Sequence, residues 1–145
     1  MTRSERMKPV AQVAESRQQE AARRMGERQR MLQEQLRRLE ELRAYRDEYA
    51  ARFEDVSIAM QGLQVREYRL FLHRLGEALD EQQRNVERAR LALEQSQTDW
   101  TQTRVKRDAV ERVIGRFQAE EDREEARREQ AENDAFGQRF RGGPG

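Results

Sequence analysis

Apolar residues recur along this chain at alternating spacings of three and four. The spacing is clearest from 72 to 117, where ten of fourteen such positions are apolar and the residues between them are mostly Glu, Gln, Arg and Asp. The fourteen positions are Leu72, Leu75, Leu79, Gln82, Val86, Ala89, Leu93, Ser96, Trp100, Thr103, Arg107, Val110, Ile114 and Phe117. This heptad pattern predicts a long α-helix whose narrow apolar seam must pack against a partner helix.

A second periodic segment precedes it and predicts that partner. Its apolar positions are Val10, Val13, Ala14, Ala21, Met25, Leu32, Leu36, Leu39, Leu42, Tyr49, Phe53 and Val56. Pro9 suits an early helical position, where its missing N–H costs nothing. Between the segments the charge thins out, and Gly62 tolerates the positive φ of a tight turn. The expected order is helix one at about 8–57, a turn at about 58–63, helix two at about 64–136 and a flexible tail at 137–145.

A turn there lets the chain pair with itself, as a single domain over residues 1–145. The predicted fold class is all-α, a long two-helix antiparallel coiled-coil hairpin. The expected facing pairs are Phe53 with Tyr68, Tyr49 with Leu72, Leu42 with Leu79, Leu36 with Val86, Leu32 with Ala89, Ala21 with Trp100, and Val10 or Ala11 with Val110. Past Phe117 helix two has no facing partner, so residues 119–134 are expected to form a solvated helix or to await another protein.

Composition narrows the possible classes. Charged residues make up 39% of the chain and aromatic residues 6%, too little apolar material for a globular core but enough for a seam. Disorder is the competing interpretation of such a polar chain, and the periodicity argues against it. The net charge is only +1 and both signs are interspersed, so no global field recruits nucleic acid or an anionic membrane. Without an apolar run long enough to span a bilayer, the expected location is cytoplasmic.

Sequence signatures of catalysis are missing. No phosphate-binding glycine loop, zinc-protease motif or Ser/His/Asp arrangement occurs, and the chain has no cysteine. His73 is the only histidine, and the carboxylates have arginines close by that keep them ionised. We expect no enzyme activity, no cofactor and no metal site.

Helical-wheel positions leave surplus apolar side chains near the turn. The seam residues of helix one are Leu32, Leu36, Leu39, Arg46, Ala50 and Phe53, whereas Leu42, Tyr45 and Tyr49 fall on one flank, as Phe71 and Ala78 of helix two do. The predicted patch comprises Leu42, Tyr45, Tyr49, Phe71, Leu75 and Ala78. A partly exposed apolar patch usually marks an interaction site, and aromatic side chains are favoured anchors. The alternative is a broad seam in which the rings fold over the facing helix.

Four segments of the sequence resemble one protein family. They are Ala21-Ala22-Arg23-Arg24-Met25-Gly26-Glu27, Leu39-x-x-Leu42-x-x-Tyr45-x-x-x-Tyr49, Tyr68-x-x-Phe71-x-x-x-Leu75-x-x-Ala78-Leu79 and Glu132-Asn-Asp-Ala-Phe136. Together they resemble the FliJ family of flagellar export proteins, over about residues 5–140.

The resemblance implies a role as well as a fold. FliJ-like proteins are stalk components of the flagellar type III export apparatus, similar to the two-helix coiled coil of the rotary ATP synthase gamma subunit. They insert into the ring of the export ATPase FliI, promote its assembly, contact the export gate protein FlhA and escort export chaperones. The family's gate contact would fall on Leu42, Tyr45, Tyr49, Phe71, Leu75 and Ala78, and the ring-inserted end on about 10–24 and 110–128. The chain would be a monomeric hairpin, peripheral at the cytoplasmic side of the inner membrane.

Three alternatives stay open at this point. The equivalent stalk of a virulence injectisome has a similar pattern. A nucleic-acid-binding helical arm would need a one-sided arginine stripe and salt-dependent binding, whereas here glutamates match the arginines all round. A generic coiled-coil homodimer is separable from a monomeric hairpin by sedimentation.

Overall fold

The chain is helical almost throughout the part that the structure describes. The structure, a computed structural model, describes residues 1–56 and 62–141 and contains there α1 (Arg3–Arg6), α2 (Lys8–Val56) and α3 (Gly62–Arg141). These two ranges contain no strand. The predicted fold class, an all-α antiparallel hairpin of two long helices, is confirmed.

The helix boundaries differ from the prediction near the turn and at the end. Residues 57–61, which hold most of the predicted turn, lie outside the described ranges. Gly62 begins α3, and no glycine in the described ranges has a positive φ, so Gly62 is a helical residue and not the turn residue. Helix α3 continues through Arg141, beyond the predicted end at 136, and Gln138 and Arg139 in this extension favour helix.

The short helix α1 was not predicted. Thr2 caps it with a capping box: the Glu5 N–H donates to the Thr2 hydroxyl at 3.2 Å, and the Thr2 N–H donates to the Glu5 carboxylate at 3.3 Å. Ser4 is buried and donates its backbone N–H at 3.0 Å and its hydroxyl at 2.6 Å to the Glu121 carboxylate. The expectation that α3 loses its facing partner at Phe117 is therefore wrong. The Thr-x-x-Glu signature was the signal that could have revealed this.

Contacts divide the chain into two compact units, residues 21–100 and residues 1–20 with 101–145. In the first unit, Tyr68 stacks on Phe53 with ring centroids 4.9 Å apart, and Gln82 bonds Gln35 further along. Partner numbers fall along α2 as they rise along α3, so the helices run antiparallel. In the second unit, the Arg107 guanidinium donates to the Gln18 side-chain oxygen at 2.7 Å.

The predicted seam of α3 is confirmed. All fourteen positions from Leu72 to Phe117 are buried or half-buried. Leu39, Leu79 and Val86 form the centre of the core in the unit of residues 21–100, with Leu32 and Leu42 packed against them. Phe53 faces Tyr68 as predicted, and Leu42 packs against the cluster that contains Leu79.

On α2 the prediction is wrong at two seam positions, Leu36 and Arg46, and the exposed Arg46 guanidinium pairs with Asp47 at 3.2 Å. Leu36 is exposed, and Gln35 occupies the seam instead. The Gln82 amide donates to the Gln35 backbone carbonyl at 2.9 Å and to its side-chain oxygen at 2.8 Å. Steps of three and then four from Leu32 reach Gln35 and Leu39, which leaves Leu36 on the flank. Val10 and Val13 are also exposed.

Candidate protein-binding face

Five aromatic rings from both helices form one connected cluster in the unit of residues 21–100. We call it the aromatic face, and it consists of Tyr45, Tyr49, Phe53, Tyr68 and Phe71. Tyr45 and Tyr49 have ring centroids 4.6 Å apart, and Phe71 lies 5.0 Å from Tyr49 and 6.3 Å from Tyr45. Tyr68 lies 6.3 Å from Tyr49 and stacks on Phe53. These separations lie in the range that favours aromatic pairs.

Helical spacing explains why the rings meet. Tyr45, Tyr49 and Phe53 follow each other at intervals of four on α2, so they share one side of that helix. Tyr68 and Phe71 are three apart on α3 and share a side there as well. The antiparallel pairing places the two rows against each other.

Polar contacts hold the rings in place. The Tyr68 hydroxyl donates to the backbone carbonyl of Tyr49. The Arg52 guanidinium lies over the Tyr49 ring at 5.4 Å from its centroid and also pairs with Glu48 at 2.6 Å. A hydrogen bond with the Tyr49 side chain raises the pKa of the Tyr45 hydroxyl above its usual value. At neutral pH the Tyr45 hydroxyl is therefore uncharged.

The residues of the predicted patch differ in how exposed they are. Tyr45 is 43% exposed, Phe71 is 37% exposed and Ala78 is exposed, as expected of an accessible surface. Tyr49 and Leu42 are half-buried. Leu75 differs from the prediction: it is only 8% exposed, because its seam position points it at the facing helix.

Phe53 and Tyr68 belong to the aromatic face although the predicted patch omitted them. The sequence does contain their signal, since Phe53 continues the spacing of four begun by Tyr45 and Tyr49. A shallow groove of about 360 Å³ runs beside these rings and is lined by Tyr49, Gln64, Glu67, Tyr68 and Phe71. A shallow apolar surface with exposed aromatic edges is more typical of a site that binds another protein than of a site that binds a small molecule.

Family comparison identifies the class of protein. A family model described as "Flagellar FliJ protein" matches residues 3–141. The chain belongs to the FliJ family. The resemblance noted from the sequence is thereby confirmed, and the match covers both helices of the hairpin together with α1. No curated protein and no solved structure gave a significant match.

Membership of the FliJ family assigns the chain to flagellar type III export, as a structural component of the apparatus and not a known enzyme. His73 contacts Glu77 at 2.9 Å, and both side chains are exposed. Within residues 1–56 and 62–141, no group of three or more His, Cys, Asp or Glu side chains is placed to hold a metal ion. Across the same part of the chain, no helix combines the length and the apolarity that a membrane crossing requires.

Proposed function

We propose that this FliJ-family chain is a non-enzymatic stalk of the flagellar export apparatus that binds the cytosolic part of the export gate FlhA through its aromatic face. The family supplies the apparatus, and the resemblance supplies the gate as partner. The single observation that supports the assignment is the exposure of Tyr45 and Phe71 at the edge of a five-ring cluster.

The physical argument rests on preorganisation. Tyr45 and Phe71 contact each other and Tyr49, so their rings are already ordered before a partner arrives. Binding then costs little side-chain entropy, while the remaining exposed ring area becomes available for burial. Tyrosine is among the residues that most often dominate binding energy at interfaces.

The remaining parts of the proposal rest on the family alone. The chain would promote assembly and activity of the export ATPase FliI ring and escort export chaperones. It would act as a monomeric hairpin in the cytoplasm, peripheral at the inner membrane, without binding nucleic acid. Mixed charge favours that last point, since ion pairs such as Arg23 with Glu27 at 2.8 Å neutralise arginines along the helices.

The test replaces the two most exposed rings. We expect Tyr45→Ala combined with Phe71→Ala to weaken binding to the cytosolic domain of FlhA by about thirtyfold to several hundredfold, because two anchors at an interface, at about 1–2 kcal/mol each, contribute about 2–4 kcal/mol together. Fluorescence anisotropy or calorimetry with the full chain measures the dissociation constant. Leu75 is left unchanged, because it is buried and its loss would also lower stability.

Leu70→Ala provides the matched control. Leu70 is 49% exposed and precedes Phe71, but its ring-free side chain is not part of the aromatic face. We expect this variant to bind FlhA like the parent chain, and all variants to keep their far-ultraviolet circular dichroism. Equal affinity of the double variant and the parent would contradict the assignment of the aromatic face. Stimulation of the FliI ATPase, measured in parallel, tests the ring role separately.

A further inference from the structure

The unit of residues 1–20 and 101–145 contains an apolar groove along the hairpin seam, with the seam residues Ala14, Thr103 and Val110 in its lining. It has a volume of about 610 Å³ and lies between α2 and α3, with Val10 and Val13 on one wall and Val110 on the other. We call it the valine groove. The seam positions of α2 nearby are Ala11 and Ala14, which are half-buried. The two valines therefore stand beside the seam.

Exposed valine side chains leave apolar surface in contact with water, which is unfavourable. Val10 is 45% and Val13 50% exposed, and they lie three residues apart, so they form one continuous strip on α2. Apolar side chains gathered in this way mark a surface that another molecule covers.

The charges of the groove point to the chemistry of its occupant. Arg17 and Lys106 are the only charged residues among the nine that line it, and both are positive. Elsewhere in the described chain many arginines pair with carboxylates, as Arg107 does with Glu111 at 3.1 Å. Arg17 and Lys106 have no ion pair or hydrogen bond of their side chains within the described residues. They are available to carboxylates of a partner.

We infer that the valine groove binds an amphipathic helix of another protein, with an apolar stripe facing the valines and Asp or Glu residues along its flanks. A groove between two helices accepts a third helix through apolar residues spaced at i, i+3, i+4 and i+7. The flanking carboxylates would pair with Arg17 and Lys106. This site is separate from the aromatic face, but it overlaps the end that the resemblance assigns to the ATPase ring, so the inference deepens that part of the proposed function and rests on it. The peptide experiment can fail while stimulation of the FliI ATPase is kept, which distinguishes the two.

A second copy of this chain fits the groove less well. A two-fold dimer places the same patch of both copies against itself. Arg17 and Lys106 of each copy would then meet Arg17 and Lys106 of the other, without an acidic residue in the groove to offset them. Like charges brought together at an interface disfavour association.

The experiment uses the full chain and two synthetic peptides of about 18 residues, roughly five helical turns. Both have leucine at heptad positions a and d. One has glutamate at the flanking positions, and the other has lysine there. Methyl chemical shifts of Ala14, Ala109 and Val110 report binding at the groove itself. We expect the acidic peptide to bind with an affinity about fivefold to tenfold higher than the basic peptide, as expected for two exposed ion pairs.

Two sets of variants test the apolar and the charged parts separately. Val10→Ser combined with Val13→Ser should abolish the shifts. Val105→Ser, at a valine that is 58% exposed and lies outside the groove lining, should leave them unchanged. Arg17→Glu combined with Lys106→Glu should reverse the preference in favour of the basic peptide. All four altered positions of the two double variants are on the groove surface, and circular dichroism checks that helicity is kept.

Three results would overturn the inference. The first is absence of binding by either peptide to the parent chain. The second is a preference between the peptides that the double charge reversal does not change. The third is a dimer of the parent chain in sedimentation that Val10→Ser with Val13→Ser dissociates, which would make a second copy the occupant.

Discussion

The polar contact between Gln35 and Gln82 in the apolar seam allows a quantitative test of how the hairpin is specified. Replacing both residues by leucine removes three hydrogen bonds, each contributing about 1 kcal/mol to stability: two from the Gln82 amide to Gln35, and one that Asn85 donates to the Gln82 side-chain oxygen at 3.2 Å. Gln82 is buried and Gln35 half-buried, so the two leucines would gain about 2–4 kcal/mol from apolar burial. Helix propensity barely changes between Gln and Leu. Because the gain and the loss nearly cancel, we expect the free energy of unfolding of the double-leucine variant to lie within about 1 kcal/mol of the parent's.

Urea unfolding followed by circular dichroism measures this difference. The matched control is Gln33→Leu with Gln83→Leu, since both of these glutamines are exposed on the same two helices. We expect the control to change the unfolding free energy by less than about 0.5 kcal/mol. A double-leucine variant at 35 and 82 that is less stable than the parent by clearly more than about 1 kcal/mol would refute the reasoning, because the hydrogen bonds would then outweigh apolar burial.

The same contact should select the register of the two helices. A polar side chain in a coiled-coil seam disfavours shifted pairings that leave it without its partner. The chain has no cysteine, so spin labels attached at Gln33→Cys and Gln83→Cys report one distance. We expect a single narrow distribution in the parent and a broader one with leucine at 35 and 82. If the distance distribution is equally narrow in the parent and in the double-leucine variant, the contact between Gln35 and Gln82 does not select the register. The prediction for stability would be unaffected by that result.

Two further predictions follow from the packing and from the Ser4 contact. Leu79→Ala, in the centre of the core, should lower the unfolding free energy by about 2–3 kcal/mol, and Leu91→Ala, at an exposed position, by less than about 0.5 kcal/mol, in urea titrations. Hydrogen bonds from Ser4 lower the pKa of Glu121 below its usual 4.5, so its contribution to holding α1 is fully present above pH 4.5 and is lost as the pH falls through the lowered pKa. The Ser4 amide shift in an NMR titration follows this loss, and Glu121→Gln should remove the transition; an unchanged titration would contradict the contact.

The candidate face shows how far sequence reasoning reaches. The spacing of Tyr45, Tyr49 and Phe71 indicated an accessible aromatic surface, and the structure exposes Tyr45 and Phe71. Sequence reasoning placed Leu75 in the same patch, but in the structure it belongs to the seam. A residue at the border between seam and flank changes its burial with a small rotation of the helix, and periodicity does not resolve that rotation.

The sequence by itself determined the two long helices, the seam of α3 and the antiparallel pairing, because a heptad stripe on a polar chain has few other ways to be buried. Only the tertiary structure decided which α2 residue faces Gln82 and that α1 contacts α3 as far as Glu121. It also decided that Val10 and Val13 lie beside the seam. These features depend on the rotation and register of one helix against the other. Rotation and register are set by contacts between residues far apart in the chain, which the local pattern of apolar positions does not contain.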